Sequence, residues 1–287
     1  MITTTEKTNP ITALTNFEVL DQCLIDTMAR ELNELEKNPV HGWNLTYPTL
    51  FNTLYATTGE LCAKLGCSIP YLFIDFQGIQ RHQSSAILMT DGSKQLHMGA
   101  DFLREYLLNQ SPENGQKSYN LFRWIIAHEL GHFCDTKFNL YGRAFFIRRL
   151  LFNFALGGSI GVAIGSLVRP QVWNDSRYFF VASVLLLIVN GITSIILHRK
   201  FEYFADKKAG NIVTDVDADD IKNMLTTMTT TIRDGITSPF DNLSGYTAQT
   251  LAWCYKKFKR AQIFALHPSV DNRIERMRKS VISKNQE

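Results

Sequence analysis

The chain has 287 residues, enough for one large domain or two modest ones. Its net charge of +3 is mild and gives no reason to expect a nucleic-acid partner. The five cysteines are odd in number and lack paired metal-binding spacing, so reduced thiols are expected. Residues 1–10 are polar and rich in threonine, without the apolar stretch of a cleaved secretory signal.

The first third of the chain is predicted to hold two helices followed by a small sheet. Apolar residues recur at helical spacing over 16–36, and a second helix is expected over 48–65. Residues 71–76 then have the composition of a strand. Residues 86–89 and 95–98 flank a turn sequence, which predicts a β-hairpin.

The segment 128–132, His-Glu-Leu-Gly-His, is the most informative stretch, and it follows a loop predicted at 111–117. On an α-helix, positions i and i+4 lie on one face, so the imidazoles of His128 and His132 can reach one ion. Zinc accepts two imidazoles and a carboxylate and keeps a fourth position for water. Glu129 is placed to take a proton from that water. Standing alone, the segment also fits an exposed helix face with solvated side chains.

Two long uncharged segments, Leu150–Val168 and Tyr178–Leu197, come next. Each has about the length that a helix needs to cross a bilayer, about 20 residues. The alternative is a pair of buried core helices in a soluble protein, but little protein remains to bury them. A transmembrane hairpin returns the chain to the side that it left, so His132 can meet a ligand beyond the second span.

Basic residues are distributed unevenly around the two spans. Eight lysines and arginines lie on the terminal side, against two in the connection 169–177. The positive-inside rule therefore places both termini and the active site in the cytoplasm. Gly157, Gly161 and Gly165 recur every fourth residue in the first span, a spacing that lets helices approach closely. Their partner is either the second span or another subunit, which would make a homo-oligomer.

A second motif follows the second span, where the acidic residues Glu202 and Asp206 share one helix face. In gluzincin peptidases, which this arrangement resembles, such a glutamate is the third metal ligand. The aspartate can accept a proton from the far nitrogen of a ligating histidine. Taken alone, the pair also fits a solvated face beside Lys207 and Lys208. Further helices are expected at 217–233, 248–264 and from about 270.

Together these motifs resemble the HtpX-like and CaaX-prenyl-protease group of integral-membrane zinc metallopeptidases. The resemblance is carried by His128-Glu129-x-x-His132, Glu202-x-x-Ala205-Asp206 and a late His267-Pro268-Ser269-x-x-x-Arg273-Ile274. It implies one zinc ion per chain, bound by His128, His132 and Glu202. It also implies that His267 stabilises the oxyanion or occupies the open metal position, and that Arg273 supports the same charge. Otherwise His267 is a turn residue and Arg273 one basic residue among several on a helix.

The resemblance covers roughly residues 70–278, and two features depart from it. HtpX has spans before the zinc helix, whereas the first 70 residues here look soluble. The prenyl proteases have many more spans, so prenylated substrates are not expected. We predict an N-terminal helical region of unknown role, a catalytic lobe with the sheet and zinc helix, a transmembrane hairpin and a C-terminal catalytic lobe. Their bounds are 1–70, 71–143, 144–198 and 199–287.

The sequence thus predicts an α+β, mainly helical, gluzincin-like domain with a small β-sheet, interrupted by a two-helix transmembrane hairpin. We expect a zinc-dependent endopeptidase that is anchored in the lipid bilayer and cleaves protein or peptide substrates at its cytoplasmic face. The family implies a role in membrane protein quality control. An extended substrate is expected to pair with an edge strand near 84–90. The rival interpretations are a non-catalytic membrane adaptor with this fold and a soluble zinc peptidase.

Overall fold

The computed structural model describes residues 22–39, 43–89, 91–109, 115–134, 136–234, 236, 238, 241, 249–257 and 268–284. Helices dominate, and a three-stranded sheet lies in the first half. The helices are α1 (Gln22–Lys37), α2 (Trp43–Thr46), α3 (Pro48–Leu65), α4 (Ala100–Leu103), α5 (Gly115–Phe133), α6 (Thr136–Val168), α7 (Pro170–Ile212), α8 (Ala218–Asp234), α9 (249–257) and α10 (Val270–Lys284). The strands are β1 (Tyr71–Asp75), β2 (Ser84–Leu88) and β3 (Lys94–Gly99).

The helices before the sheet share a core with α5. In α1, Ile25, Met28, Leu32 and Leu35 recur at helical spacing and are buried. The apolar face of α3 packs in one cluster with the α1 stripe and with α5. Burial of one large apolar side chain stabilises the fold by about 1.5–3 kcal/mol. This shared cluster therefore fixes the N-terminal helices to α5.

The sheet has the strand order β1-β3-β2. The central strand β3 pairs in parallel with β1 and antiparallel with β2, where Ala86 lies opposite Leu96. The predicted strand and hairpin are confirmed, with bounds that differ by one or two residues. Strand β2 is consequently an edge of the sheet, as an added peptide strand would require.

Helix α5 runs through the centre of the protein. Every side chain from Tyr119 to His128 is buried, because polar residues are scarce on all faces of this segment. The helix begins at Gly115. The loop predicted for 111–117 is therefore wrong for 115–117, where the helical pattern of α5 extends further back, and 111–114 lie outside the described residues.

Helices α6 and α7 form the predicted hairpin with a very short connection. α6 ends at Val168 and α7 begins at Pro170, so Arg169 alone separates them. The predicted connection at 169–177 is wrong, because 170–177 are the first turns of α7. Pro170 occupies the first turn of the helix, where its missing N–H has no hydrogen-bond partner to lose.

The close contact between the two long helices lies at Gly158. A Cβ at Gly158 would come within 2.7 Å of the Phe179 ring, whereas a Cβ at Gly157 or Gly161 would meet nothing within 4 Å. The second span is thus not the partner of Gly157 and Gly161. Glycines four residues apart lie on one face of a helix, but in this structure the residue that faces α7 is Gly158, next in the chain to Gly157. Contact with another subunit stays a prediction.

Three further helices match their predicted bounds closely. The helix predicted at 48–65 is α3, and those predicted at 217–233 and from about 270 are α8 and α10. In the other two predicted helices, residues 16–21, 248 and 258–264 lie outside the described residues.

Candidate metal centre

The candidate metal ligands come from two neighbouring helices. His128 and His132 lie one turn apart on α5, and Glu202 lies on α7. The two imidazole rings are 4.9 Å apart between centroids and almost perpendicular. His128 and Glu202 are buried, and His132 is partly exposed. The four-residue spacing therefore brings both rings to the face of α5 that meets α7.

The geometry and chemistry of these three side chains fit a zinc ion. Their ligand atoms lie within 4.8 Å of one another. Nε2 of His128 is 3.6 Å from one Glu202 carboxylate oxygen, and Nε2 of His132 is 3.9 Å from the other. Tetrahedral ligands at about 2.0–2.1 Å from zinc lie about 3.4 Å apart, so only a small closure is needed. Two imidazoles and one carboxylate are also a donor set that zinc prefers.

Asp206 and Arg273 form a buried ion pair behind these residues. Asp206 Oδ1 lies 2.9 Å from Nδ1 of His128. Arg273 donates to both Asp206 oxygens, from Nη2 at 2.6 Å and from Nε at 2.8 Å. Its Nη1 is also 3.5 Å from Glu202. A proton on Nδ1 of His128, held by Asp206, leaves Nε2 free for a metal.

The location of Arg273 adds to what the sequence indicated. The sequence pattern predicted that Arg273 supports the oxyanion, and that role stays a prediction. The structure brings Arg273 on α10 into contact with Asp206, 67 residues earlier in the chain. Sequence reasoning missed this pairing because no local periodicity relates two residues so far apart. His267 lies outside the described residues, so its role also stays a prediction.

Glu129 lies next to the candidate ligands and faces the edge strand. Its Oε2 accepts a hydrogen bond from the Ala86 backbone N–H at 2.8 Å. Burial raises the pKa of Glu129 to about 7, although the charge of His128 and the Ala86 N–H oppose the shift. A carboxyl group with this pKa can both accept and release a proton near neutral pH.

Burial and charge give the two histidines different proton affinities. Burial alone would lower the pKa of His128, but hydrogen bonds to Asp206 and Glu202 outweigh it and raise that pKa to about 10. Burial and the positive charge of His128 lower the pKa of His132 to about 4. The pKa values diverge because Asp206 contacts His128.

Small residues let α5 and α7 come close enough for the ligands to meet. A Cβ at Gly131 would lie 3.1 Å from Cα of Ala205 and 3.4 Å from Cβ of Lys208. Ala205 itself is completely buried. Sequence reasoning gave Gly131 no role. The sequence signal for this close contact is a small residue inside each of the two motifs, Gly131 in the first and Ala205 in the second.

The region that contains this site matches a known family. Residues 107–281, more than half of the chain, match the model of peptidase family M48. The matched region contains α5, the ligand-bearing part of α7 and Arg273. Comparisons with curated proteins and with solved structures gave no match.

Gly131→Ala should destabilise the protein by about 1–3 kcal/mol, because the added methyl group forces the two backbones apart. Gly210→Ala on α7 is the matched control, since a Cβ there meets nothing within 4 Å. That control should be neutral or should stabilise the helix by up to about 1 kcal/mol. Thermal unfolding of both variants measures the difference. An unchanged midpoint in Gly131→Ala would contradict the close helix contact.

Proposed function

This chain belongs to peptidase family M48, and we propose that it is an HtpX-like, membrane-anchored zinc endopeptidase that acts at the cytoplasmic face of a membrane. The observation that carries the proposal is the convergence of His128, His132 and Glu202 within 4.8 Å. Glu129 lies beside this group, and Asp206 supports His128 from behind. Metal-assisted hydrolysis of a peptide needs this combination of ligands, base and supporting acceptor.

Glu129 acts as the general base in the proposed reaction. A zinc ion held by His128, His132 and Glu202 would supply a Lewis acid and lower the pKa of its bound water. Glu129 accepts a proton from the attacking water and later delivers it to the leaving amine. Burial favours the protonated form of Glu129, which assists its uptake of the proton. The hydrogen bond from Ala86 fixes the carboxylate in place.

Asp206 and Arg273 contribute by holding the ligands. Asp206 accepts a hydrogen bond from Nδ1–H of His128 and so directs Nε2 toward the metal position. Arg273 donates two hydrogen bonds to Asp206. These bonds orient the carboxylate, and the guanidinium charge compensates the buried negative charge of Asp206. The same guanidinium lies 3.5 Å from Glu202 and steadies the third ligand.

The outer edge of β2 is the proposed substrate-binding strand. Ala86 directs its N–H away from β3 and toward Glu129. Backbone groups alternate along an antiparallel ladder, so Ser84 and Leu88 present N–H and C=O on that same edge. A peptide paired there passes beside Glu129. Such pairing uses the substrate backbone and favours unfolded protein segments of varied sequence, such as misfolded membrane proteins.

Leu150–Val168 and Tyr178–Leu197 are proposed to span the bilayer. Only 17% of the most apolar stretch of α6 is buried within the protein, and only 6% of the most apolar stretch of α7. Buried core helices of a soluble protein would show the opposite, so this exposure favours a lipid environment. Glu202 follows Leu197 by five residues, about 8 Å along a helix. The proposed active site therefore lies near the membrane surface.

Glu129→Gln should retain about one zinc ion per chain and lose turnover by about 10²–10⁴-fold, because an amide cannot accept the proton. Zinc content and protein hydrolysis are measured together in detergent, and membrane proteomes with the parent and variant identify the substrates. Turnover within a few-fold of the parent would rule out Glu129 as the base.

Replacing His128, His132 and Glu202 together by Ala provides the control for the metal. This triple variant should bind no zinc. Stoichiometric zinc in the triple variant would reject the ligand assignment. A parent protein that binds zinc and cleaves nothing would favour the adaptor interpretation.

Asp206→Asn should weaken zinc affinity by about 10–100-fold, as expected when the acceptor behind a ligating histidine is lost. Asp219→Asn is the matched control, because Asp219 forms an exposed ion pair with Arg278 at 2.8 Å. Exposed pairs contribute about 0–1 kcal/mol, so this control should leave zinc affinity unchanged. Competition with a chelator measures both variants. Equal affinities in the two variants would remove Asp206 from the site.

A topology test uses single cysteines in a background without the five native ones. Asn174→Cys, exposed near the start of α7, should react with an impermeant maleimide on intact cells whose outer barriers are permeable to it. Thr227→Cys, exposed on α8, should react only after lysis. The positive-inside asymmetry sets this direction. The reverse pattern would place the active site outside the cytoplasm, and equal labelling without lysis would favour the soluble interpretation.

A further inference from the structure

A buried tryptophan lies one turn before the candidate metal ligand His128. Trp124 precedes His128 by four residues on α5, so both side chains lie on the same face of that helix. Trp124 is only 1% exposed. Its ring stacks on the His128 imidazole, with 5.7 Å between the ring centroids and 22° between the ring planes. The indole therefore belongs to the immediate surroundings of the candidate site, although it supplies no metal ligand.

Two contacts restrain the His128 ring in different ways. Asp206 holds the Nδ1 edge of the ring at 2.9 Å. A hydrogen bond at one edge fixes a direction within the ring plane, but it lets the plane tilt about that direction. The stacked indole opposes the tilt, because a rotated imidazole would lose its contact with the indole face. Together the two contacts fix both the direction of Nε2 and the plane in which it lies.

The indole and the two imidazoles form a ladder of rings along α5. Trp124, His128 and His132 follow one another at intervals of four residues. His128 lies between the other two, stacked on the indole and nearly perpendicular to the His132 ring at 4.9 Å. A displacement of the indole would therefore reach the first candidate ligand directly and the second through it.

Packing alone does not explain a tryptophan at position 124. The indole Nε1 is buried and has no hydrogen-bond partner among the residues that the structure describes. Buried tryptophans usually find an acceptor for this N–H, and a buried donor without one destabilises the folded state. A phenylalanine would fill an apolar core without that cost. Tryptophan instead provides the aromatic face that attracts positive charge most strongly.

This electron-rich face favours a His128 that is bound to a metal. An imidazole that shares its Nε2 lone pair with a metal ion becomes more positive, and aromatic faces attract positive charge. The stack is therefore stronger when His128 holds a metal than when it does not. Linkage requires that the same difference in free energy increases the affinity of the site for the metal.

We propose that Trp124 is a positioning residue for His128, that it raises the zinc affinity of the site, and that its fluorescence changes when zinc binds. This role rests on the proposed zinc site and adds the residue that supports its first ligand. Two measurable consequences follow from the stacked geometry. Removal of the indole weakens zinc binding by more than a loss of packing does, and Trp124 carries the zinc-dependent emission signal.

Zinc titrations of the full-length protein in detergent, buffered with a chelator, measure the first consequence. Trp124→Leu should weaken zinc affinity by about 2–10-fold, the range expected for the loss of one aromatic pair. Trp124→Phe keeps a smaller ring against His128 and should recover part of that loss. Partial rescue by the conservative variant is the sign of a stacking role.

Phe122→Leu is the matched control for lost packing. Phe122 is also 1% exposed on α5, but its ring packs against Phe102 and Tyr119 instead of against a candidate ligand. This control should lower the thermal midpoint of unfolding, as Trp124→Leu does, and keep the zinc affinity of the parent. The comparison separates support of the ligand from a general weakening of the core.

Tryptophan emission measures the second consequence. The chain has four tryptophans. In the parent, the emission change should saturate at about one zinc ion per chain, and it should disappear in Trp124→Phe. Trp253→Phe is the control, because Trp253 is 60% exposed on α9, and it should keep the change. Neither measurement requires cleavage of a peptide.

Two results would overturn the role of Trp124 and leave the proposed peptidase function intact. One is a zinc affinity in Trp124→Leu that falls no further than in Phe122→Leu. The other is an emission change on zinc binding that persists in Trp124→Phe. A parent protein that binds no zinc would overturn this role and the proposed peptidase function together, so the two kinds of failure are distinguishable.

Discussion

The contact between α5 and α7 at Gly131 and Ala205 is the constraint on which the candidate site depends. The imidazoles belong to one helix and Glu202 to the other, so a zinc site exists only if the two backbones approach closely. A Cβ at Gly131 would already lie 3.1 Å from the Ala205 backbone. Protein interiors transmit such displacements because they are close-packed. An added methyl group at Gly131 would therefore displace candidate ligand atoms that lie only one turn away.

Charge balance is the second requirement. Glu202 and Asp206 are buried and Glu129 is partly buried, so three carboxyl groups share a region where unpaired charges are costly. Arg273 offsets part of this cost through two hydrogen bonds to Asp206, and that contact raises the pKa of Arg273 although burial opposes the shift. Helix α10 supplies no ligand among its described residues, yet the site needs it. The candidate ligands and their counter-charge therefore form one network although they lie far apart in sequence.

The sequence predicts what depends on local spacing and misses what depends on packing between distant elements. Residues one turn apart on a helix share a face, so the approach of the His128 and His132 side chains could be predicted from their spacing. The contact of Arg273 with Asp206 has no such signature, because the tertiary fold alone brings α10 to α7. Glycine spacing predicted a close-packing face at Gly157, Gly161 and Gly165 of α6, but in the structure Gly158, which lies outside that series, faces α7. The position of 169–177 between two uncharged segments suggested a connecting loop, where Pro170 instead begins a helix.

The continuity of the ligand helices gives the hairpin a role beyond anchoring. α6 begins at Thr136, four residues after His132, and α7 runs without a break from Pro170 to Ile212 through Glu202. In the proposed arrangement, the same helix crosses the bilayer and supplies the third ligand. A shift of α7 along its axis would move the Glu202 carboxylate relative to both imidazoles. In that arrangement, the thickness of the bilayer around the hairpin would also help to fix the geometry of the site. Segments that emerge from a membrane are then the substrates best placed to reach the edge of β2.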